Sequence, residues 1–179
     1  TNDTFCVMAS GLAGNRQITK PDADYRTFCK ALNAVTTAMC RKLAADGEGA
    51  TKLIECRVRG AKSLKDARLC AKAVVSSDLV KAAMFGSDAN WGRVLCALGY
   101  SGAKIDPDAV GVVFCSSAGE VEVCRQGRGV AFSEETAKRV LSEQEIDICV
   151  TLGNGHYGAT AWGCDLTYDY VKINGDYRT

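Results

Sequence analysis

The chain has 179 residues, 47% of them hydrophobic and 24% charged, with a formal net charge of +1 at pH 7. That supplies one good core or two small lobes, and the scattered basic residues leave no electrostatic footprint for nucleic acid or an anionic membrane. No apolar run approaches the ~20 residues needed to cross a bilayer and no basic and apolar leader opens the chain, so small-molecule work in a cytoplasmic setting is expected.

Phe28, Leu32, Val35, Met39 and Leu43 recur every three or four residues and predict a helix over residues 25–45. It delivers Asp46-Gly47-Glu48-Gly49-Ala50-Thr51-Lys52, an acid between two glycines ahead of a strand-like run. Glycines reach positive φ without penalty and carry no side-chain bulk, so the Glu48 carboxylate can face a small polar molecule at close range. A helix stop followed by a solvated loop accounts for the same residues. Ile54, Cys56 and Val58 then alternate with Glu55, Arg57 and Arg59, the period of a strand with one wet face. Ser63 with Asp66 three residues on resembles a capping box for a helix to about residue 75. Asp78 is placed as the cap of a shorter helix to residue 85, and a third helix is expected over residues 89–98.

Gly99-Tyr100-Ser101-Gly102 and Asp106-Pro107-Asp108 punctuate the pattern. They suggest a helix-rich lobe at residues 1–102, carrying the Glu48 loop, and a strand-rich lobe at 103–179 whose end returns to the site. Residues 111–115 and 120–125 read as a hairpin turning at Ser116-Ser117-Ala118-Gly119, followed by a helix over 134–142 and a strand over 146–152. The glycine-rich run from Gly153 to Gly158 then leads into a long terminal strand through residue 173. The class is α/β or α+β, with layered mixed sheets and helices.

Ten cysteines are spread from Cys6 to Cys164 with no Cys-x-x-Cys. Several fall on apolar faces, as Cys56 does beside Ile54 and Val58, which suits reduced thiols acting as small hydrophobes. With one histidine and no ligand spacing, no metal site is expected. His156, in a glycine-rich loop, reads as a structural hydrogen-bonder.

Five separated segments point further: Thr1-Asn2-Asp3-Thr4, the Asp46 to Lys52 loop, Ser77-Asp78-Leu79-Val80-Lys81, Gly86-Ser87-Asp88-Ala89-Asn90-Trp91-Gly92-Arg93, and the run from Tyr168 to Thr179. Together, and in this order, they resemble the ornithine acetyltransferase family, the bifunctional glutamate N-acetyltransferases of arginine biosynthesis. The resemblance covers the whole chain and corresponds to the C-terminal part of a family member. Such proteins are made as one precursor that cuts itself before a threonine in an Ala-Thr-Met-Leu type motif, giving an α and a β chain. No such motif occurs here. The chain is therefore similar to a β chain without its opening stretch, and the nucleophilic threonine is expected upstream. An N-terminal threonine can activate its own hydroxyl through its amine, but Thr1 fits the family's internal Thr-Asn-Asp-Thr motif instead.

The resemblance implies ping-pong transfer of acetyl from N-acetylornithine to glutamate through an acetyl-threonine enzyme, with oxyanion donors on the α chain. It implies an α-chain partner from the same precursor in an α2β2 heterotetramer. No cofactor, nucleic acid or membrane is implied, and use of acetyl-CoA as donor varies within the family. Glu48, Asn174 and Thr179 match the family's substrate-binding set. Glu48 can accept from an ammonium group, while Asn174 and the Thr179 hydroxyl can donate to a carboxylate or hold a water. Apart from the resemblance, the three read as a solvated turn acid, a strand-end amide and a frayed terminus. Gly175 replaces the family's usual alanine. Trp91 and Arg93 are expected to serve packing and an ion pair with Asp88 or Asp78, and Asn2 and Asp3 either line the site or cap a turn. Two other classes fit a related architecture: a threonine-nucleophile aminopeptidase or amidohydrolase, and a noncatalytic amino-acid-binding fragment.

Overall fold

A computed structural model describes residues 4–176. The chain divides into two units, Thr1–Thr37 and Ala38–Thr179. In the first, irregular chain leads to Asp22, whose carboxylate accepts from the Tyr25 amide at 3.1 Å and starts helix α1 (Ala23–Ala45). The helix continues into the second unit, and none of its residues is buried. Its apolar stripe, including Phe28, Val35 and Leu43, stands about half exposed.

The second unit is built on β1 (Leu53–Ala61), α2 (Leu64–Val75), α3 (Asp78–Phe85), α4 (Trp91–Gly99), β2 (Gly111–Ser116), β3 (Gly119–Arg125), β4 (Arg128–Gly129), α5 (Glu134–Leu141), β5 (Glu145–Thr151), β6 (Tyr157–Cys164) and α6 (Tyr168–Asp176). The strands form one sheet in the order β4-β3-β2-β5-β1-β6. Among the described residues only β1 and β5 run parallel; every other neighbouring pair is antiparallel. One face of the sheet is apolar. Ile54, Cys56 and Val58 of β1, Val112 and Phe114 of β2, and Ile146, Ile148 and Val150 of β5 form a buried core with Cys70 and Val74 of α2 and Val140 and Leu141 of α5. Period-2 alternation aims these side chains one way and sends Glu55, Arg57 and Asp147 to the other face. Burial pushes the Cys56 thiol well above its ordinary range, so it behaves as a small hydrophobe.

Hydroxyl and amide caps set the helix starts. The Ser63 side chain accepts from Asp66 N and donates to the Asp66 carboxylate, and Asn90 and Ser133 accept from Arg93 N and Thr136 N. For α3 the cap is Ser77, one residue before the expected Asp78, because its hydroxyl reaches Val80 N and Asp78 falls in the first turn.

Two further expectations change. The boundary at residues 102/103 lies inside the second unit, because β1 is sandwiched between β5 and β6 from the far side of that boundary. Glycine and proline there mark only the exit from α4 and a short 3-10 turn at Pro107–Ala109. The long terminal strand is replaced by β6 and a separate helix, α6. Thr167 breaks the strand: its hydroxyl accepts from Tyr170 N and starts the helix, while Val171 and Ile173 are exposed. Alternating β-branched and aromatic residues in a short amphipathic helix mimic the period of a strand.

Phe114 is fully buried at the centre of the sheet. Phe114→Ala is expected to lower unfolding free energy by about 3–5 kcal/mol, read from the midpoint of urea denaturation.

Candidate functional site

The Glu48 loop forms where α1 ends. Ala50 N donates to Gly47 O at 2.9 Å, closing a turn. Gly49 takes φ +66°, and a Cβ there would stand 2.9 Å from Tyr170 N and from the Asp169 side chain. A side chain at 49 would thus push α6 away from the loop.

Two buried polar side chains from the turn between β6 and α6 lock this arrangement. Asp165 is 3% exposed. Its carboxylate accepts from Thr51 N at 2.8 Å, Thr51 Oγ1 at 2.5 Å and Lys52 N at 3.0 Å. The Thr167 hydroxyl donates to Gly49 O at 2.7 Å. Tyr168 stacks edge-on against Phe85, with ring centroids 5.5 Å apart. Lys52 anchors the far side of the loop, its ammonium donating to Met84 O at 2.6 Å, Leu141 O at 2.7 Å and Ser87 Oγ at 2.9 Å. Burial lowers its pKa, opposed by the charge of Asp165.

The result brings Glu48 and Asn174 together. Asn174 Nδ2 donates to Glu48 Oε2 at 2.8 Å and to Tyr170 O at 2.9 Å. Both side chains are exposed. The amide uses its donors on these two bonds, so the atoms left open to a ligand, Asn174 Oδ1 and Glu48 Oε1, are both acceptors. That suits an ammonium group and differs from the donation to a carboxylate expected of Asn174 from sequence. Thr179 lies outside the described residues, as do Thr1, Asn2 and Asp3.

On the opposite side of the loop, Glu55 is 8% exposed and collects Trp162 Nε1 at 2.7 Å, Arg57 Nε at 2.7 Å and the Arg41 guanidinium of α1. Arg41 also pairs with Glu145 at 2.7 Å, and Arg57 with Asp147 at 3.1 Å, beside a cavity of about 410 Å³. Burial pushes the Glu55 carboxyl up, but the bonds from Arg57 and Trp162 and the charges of Arg57 and Arg41 outweigh it and hold it below the usual range. This network ties the last turns of α1 to the sheet and fixes where the loop departs. Alternation on β1 marked Glu55 and Arg57 as sharing a face, but nothing in the sequence linked them to Arg41 or Trp162. Asp165 and Thr167 likewise carried no signal.

Arg93 makes no ion pair with Asp88 or Asp78; its guanidinium donates to Leu79 O at 2.9 Å, and Asp88 instead accepts from Asn90 Nδ2 at 3.1 Å. The α4 start faces Arg93 toward the backbone of α3. Trp91 packs against Gly129, where a Cβ would come within 2.6 Å of its ring. His156 is exposed.

A mixed sheet, helices on its apolar face and a terminal helix folded back onto an acidic helix-to-strand turn define a mixed α/β protein, with a hydrogen-bonded polar pair where that turn meets the helix. A model of the ArgJ family matches residues 1–179, and the chain belongs to that family. It is 54% identical over its whole length to arginine biosynthesis bifunctional protein ArgJ 1 of Clostridium acetobutylicum and covers 44% of that relative. It is 56% identical, again over 44% of the relative, to the ArgJ protein of Caldanaerobacter subterraneus. The chain therefore spans less than half the length of these curated relatives. The crystal structure of an arginine biosynthesis bifunctional protein argJ from Bacillus halodurans superposes with a TM-score of 0.88 at 43% identity, over 98% of this chain and 84% of that one.

Asp165→Asn replaces an acceptor of three bonds with a single carbonyl oxygen. It is expected to cost about 1–3 kcal/mol of stability and to speed amide exchange at Thr51 and Lys52. Because the folded pKa of Glu55 is lowered, its contribution is present above the unfolded carboxylate value and lost as pH falls through the folded one. Unfolding midpoints should therefore drop as pH falls below about 4.3, and Glu55→Gln should flatten that dependence.

Proposed function

We propose that this chain forms the amino-acid-binding side of a glutamate N-acetyltransferase that takes its acetyl group from N-acetylornithine. The observation that carries the reading is the Asn174 to Glu48 hydrogen bond, which joins two segments 126 residues apart and leaves two acceptors facing outward. The names of the relatives, arginine biosynthesis bifunctional proteins, agree with substrates of this type.

In the proposed cycle a threonine outside this chain attacks the acetyl carbonyl of N-acetylornithine. The C–N bond breaks, ornithine leaves with the proton, and an acetyl ester remains on the threonine. The amine of glutamate then attacks the ester, N-acetylglutamate leaves, and the threonine hydroxyl regains its proton. In glutamate the one nitrogen is the nucleophile and attacks as the neutral amine, whereas N-acetylornithine carries a side-chain ammonium that must be oriented while its acetyl group reacts. Glu48 Oε1 and Asn174 Oδ1 do this as paired acceptors, the carboxylate supplying a charge-assisted bond. Thr179 belongs to the same proposed pocket, as its sequence position five residues beyond Asn174 allows. Covalent threonine chemistry needs no bound cofactor, and acetyl-CoA would enter as an alternative donor substrate. The proposed partner is the α chain of the same precursor, in an α2β2 assembly. No helix among the described residues is long and apolar enough to cross a membrane, and a cytoplasmic setting is proposed.

The test is acetyl transfer from N-acetylornithine to glutamate by the chain assembled with its upstream polypeptide. Glutamate-dependent transfer supports the reading; acetate release independent of glutamate would make the protein a hydrolase, and ornithine binding without turnover would make it a binding module. In the active assembly, Glu48→Gln is expected to lower kcat/KM by about 10- to 150-fold, the equivalent of roughly 1.5–3 kcal/mol for a charge-assisted bond. Asn174→Ala should act in the same direction, since it frees Glu48 to swing out of place.

A further inference from the structure

β6 ends the sheet: it pairs with β1 on one side and, among the described residues, has no strand on the other. Its sequence, Tyr157-Gly158-Ala159-Thr160-Ala161-Trp162-Gly163-Cys164, holds no charged residue and no proline. Exposed edge strands ordinarily carry such residues, because a bare row of N–H and C=O groups templates pairing with another strand.

A groove of about 650 Å³ runs along this edge, lined by β6 from Thr160 to Cys164. Its walls come from both faces of the sheet. Gly163 abuts Val75 of α2, where a Cβ would lie 3.0 Å from the Val75 carbonyl, whereas its neighbour Trp162 points to the Glu55 and Arg41 side. On the Trp162 side the groove is bounded by Cys40, Leu43 and Ala44 of α1, and on the Gly163 side by the helices that carry Arg68, Lys72 and Lys81. Among the described residues no acid lines it. Among the described residues none of the three cations is in an ion pair. Arg68 and Lys72, four apart on α2, share one helix face.

We propose that this edge is a docking site for an extended polypeptide segment with acidic side chains at alternate positions, which adds to β6 as a seventh strand. Main-chain bonds to β6 would supply binding, and the alternation of a strand would place acids toward Arg68, Lys72 and Lys81 and apolar residues toward Leu43, Ala44 and Trp162. Five residues of extended chain cover ~17 Å, the length of β6 that lines the groove. A compact anion would satisfy the cations but leave the edge backbone unpaired; an uncharged strand would do the reverse.

The probe is a capped heptapeptide of alternating glutamate and valine, added to the chain while amide exchange is followed by NMR. The expected result is at least tenfold slower exchange at alternate amides of residues 157–164. Two further peptides carry N-methyl groups on one or the other alternate set of backbone nitrogens, and only the set facing β6 should abolish binding. Replacing glutamate by lysine should abolish it too, and the double variant Arg68→Glu/Lys72→Glu, both surface positions, should reverse that preference. No protection of the β6 amides, equal behaviour of the two methylated peptides, or indifference to the charge reversal would overturn the proposal. So would protection of the same amides without peptide that grows with protein concentration, which would assign the edge to a second copy of this chain.

Discussion

The buried carboxylate of Asp165 is the contact on which the site depends. It takes the backbone of Thr51 and Lys52 as donors and the Thr51 hydroxyl as a third. A buried carboxylate without such partners would be costly, so the loop that satisfies it is held where those donors converge. Because Asp165 sits between β6 and α6, the same bonds fix where the terminal helix begins. Thr167 completes the lock by bonding Gly49 and starting α6. Glu48 and Asn174 meet because their carriers, loop and helix, share one buried anchor.

The sheet divides its labour by face. The apolar face, with Phe114, Ile148 and Cys56 against α2 and α5, supplies the cohesion that makes the second unit a unit. The polar face uses charge to set geometry instead. Glu55 gathers Trp162, Arg57 and Arg41 and so holds the end of α1 against β1 and β6. Ion pairs of this kind contribute little to stability when exposed, but one buried carboxylate with three donors restricts the orientation of every group that meets it. The loop that carries Glu48 follows directly on α1, which ends at Ala45, and runs from this network to the anchored Lys52. Held at both ends, it has little freedom to move.

Local rules carried a large part of the fold. Hydrophobic period placed α1 and β1, a capping serine placed α2, and turn chemistry placed the β2–β3 hairpin, since each depends on neighbours within a few residues. The end of the chain escaped them. Val171 and Ile173 have strand propensity, but the helix begins because Thr167 and Asp165 are held by a loop more than a hundred residues earlier. The pairing of β1 with β5 and β6 is non-local in the same way, and it runs across the glycine and proline punctuation that suggested two lobes.

For the site, residue types and their resemblance to a family singled out Glu48 and Asn174 from the chain alone, because the Asp-Gly-Glu-Gly turn and the terminal motif are contiguous patterns. Their meeting, the direction in which the Asn174 amide points and the pair of acceptors left open belong to the folded molecule. They follow from Asp165, Thr167 and Tyr170 O, partners no local pattern names. Contiguous sequence sets propensities, caps and turns; which distant side chains satisfy one another's buried polar groups is settled when the sheet and its loops pack.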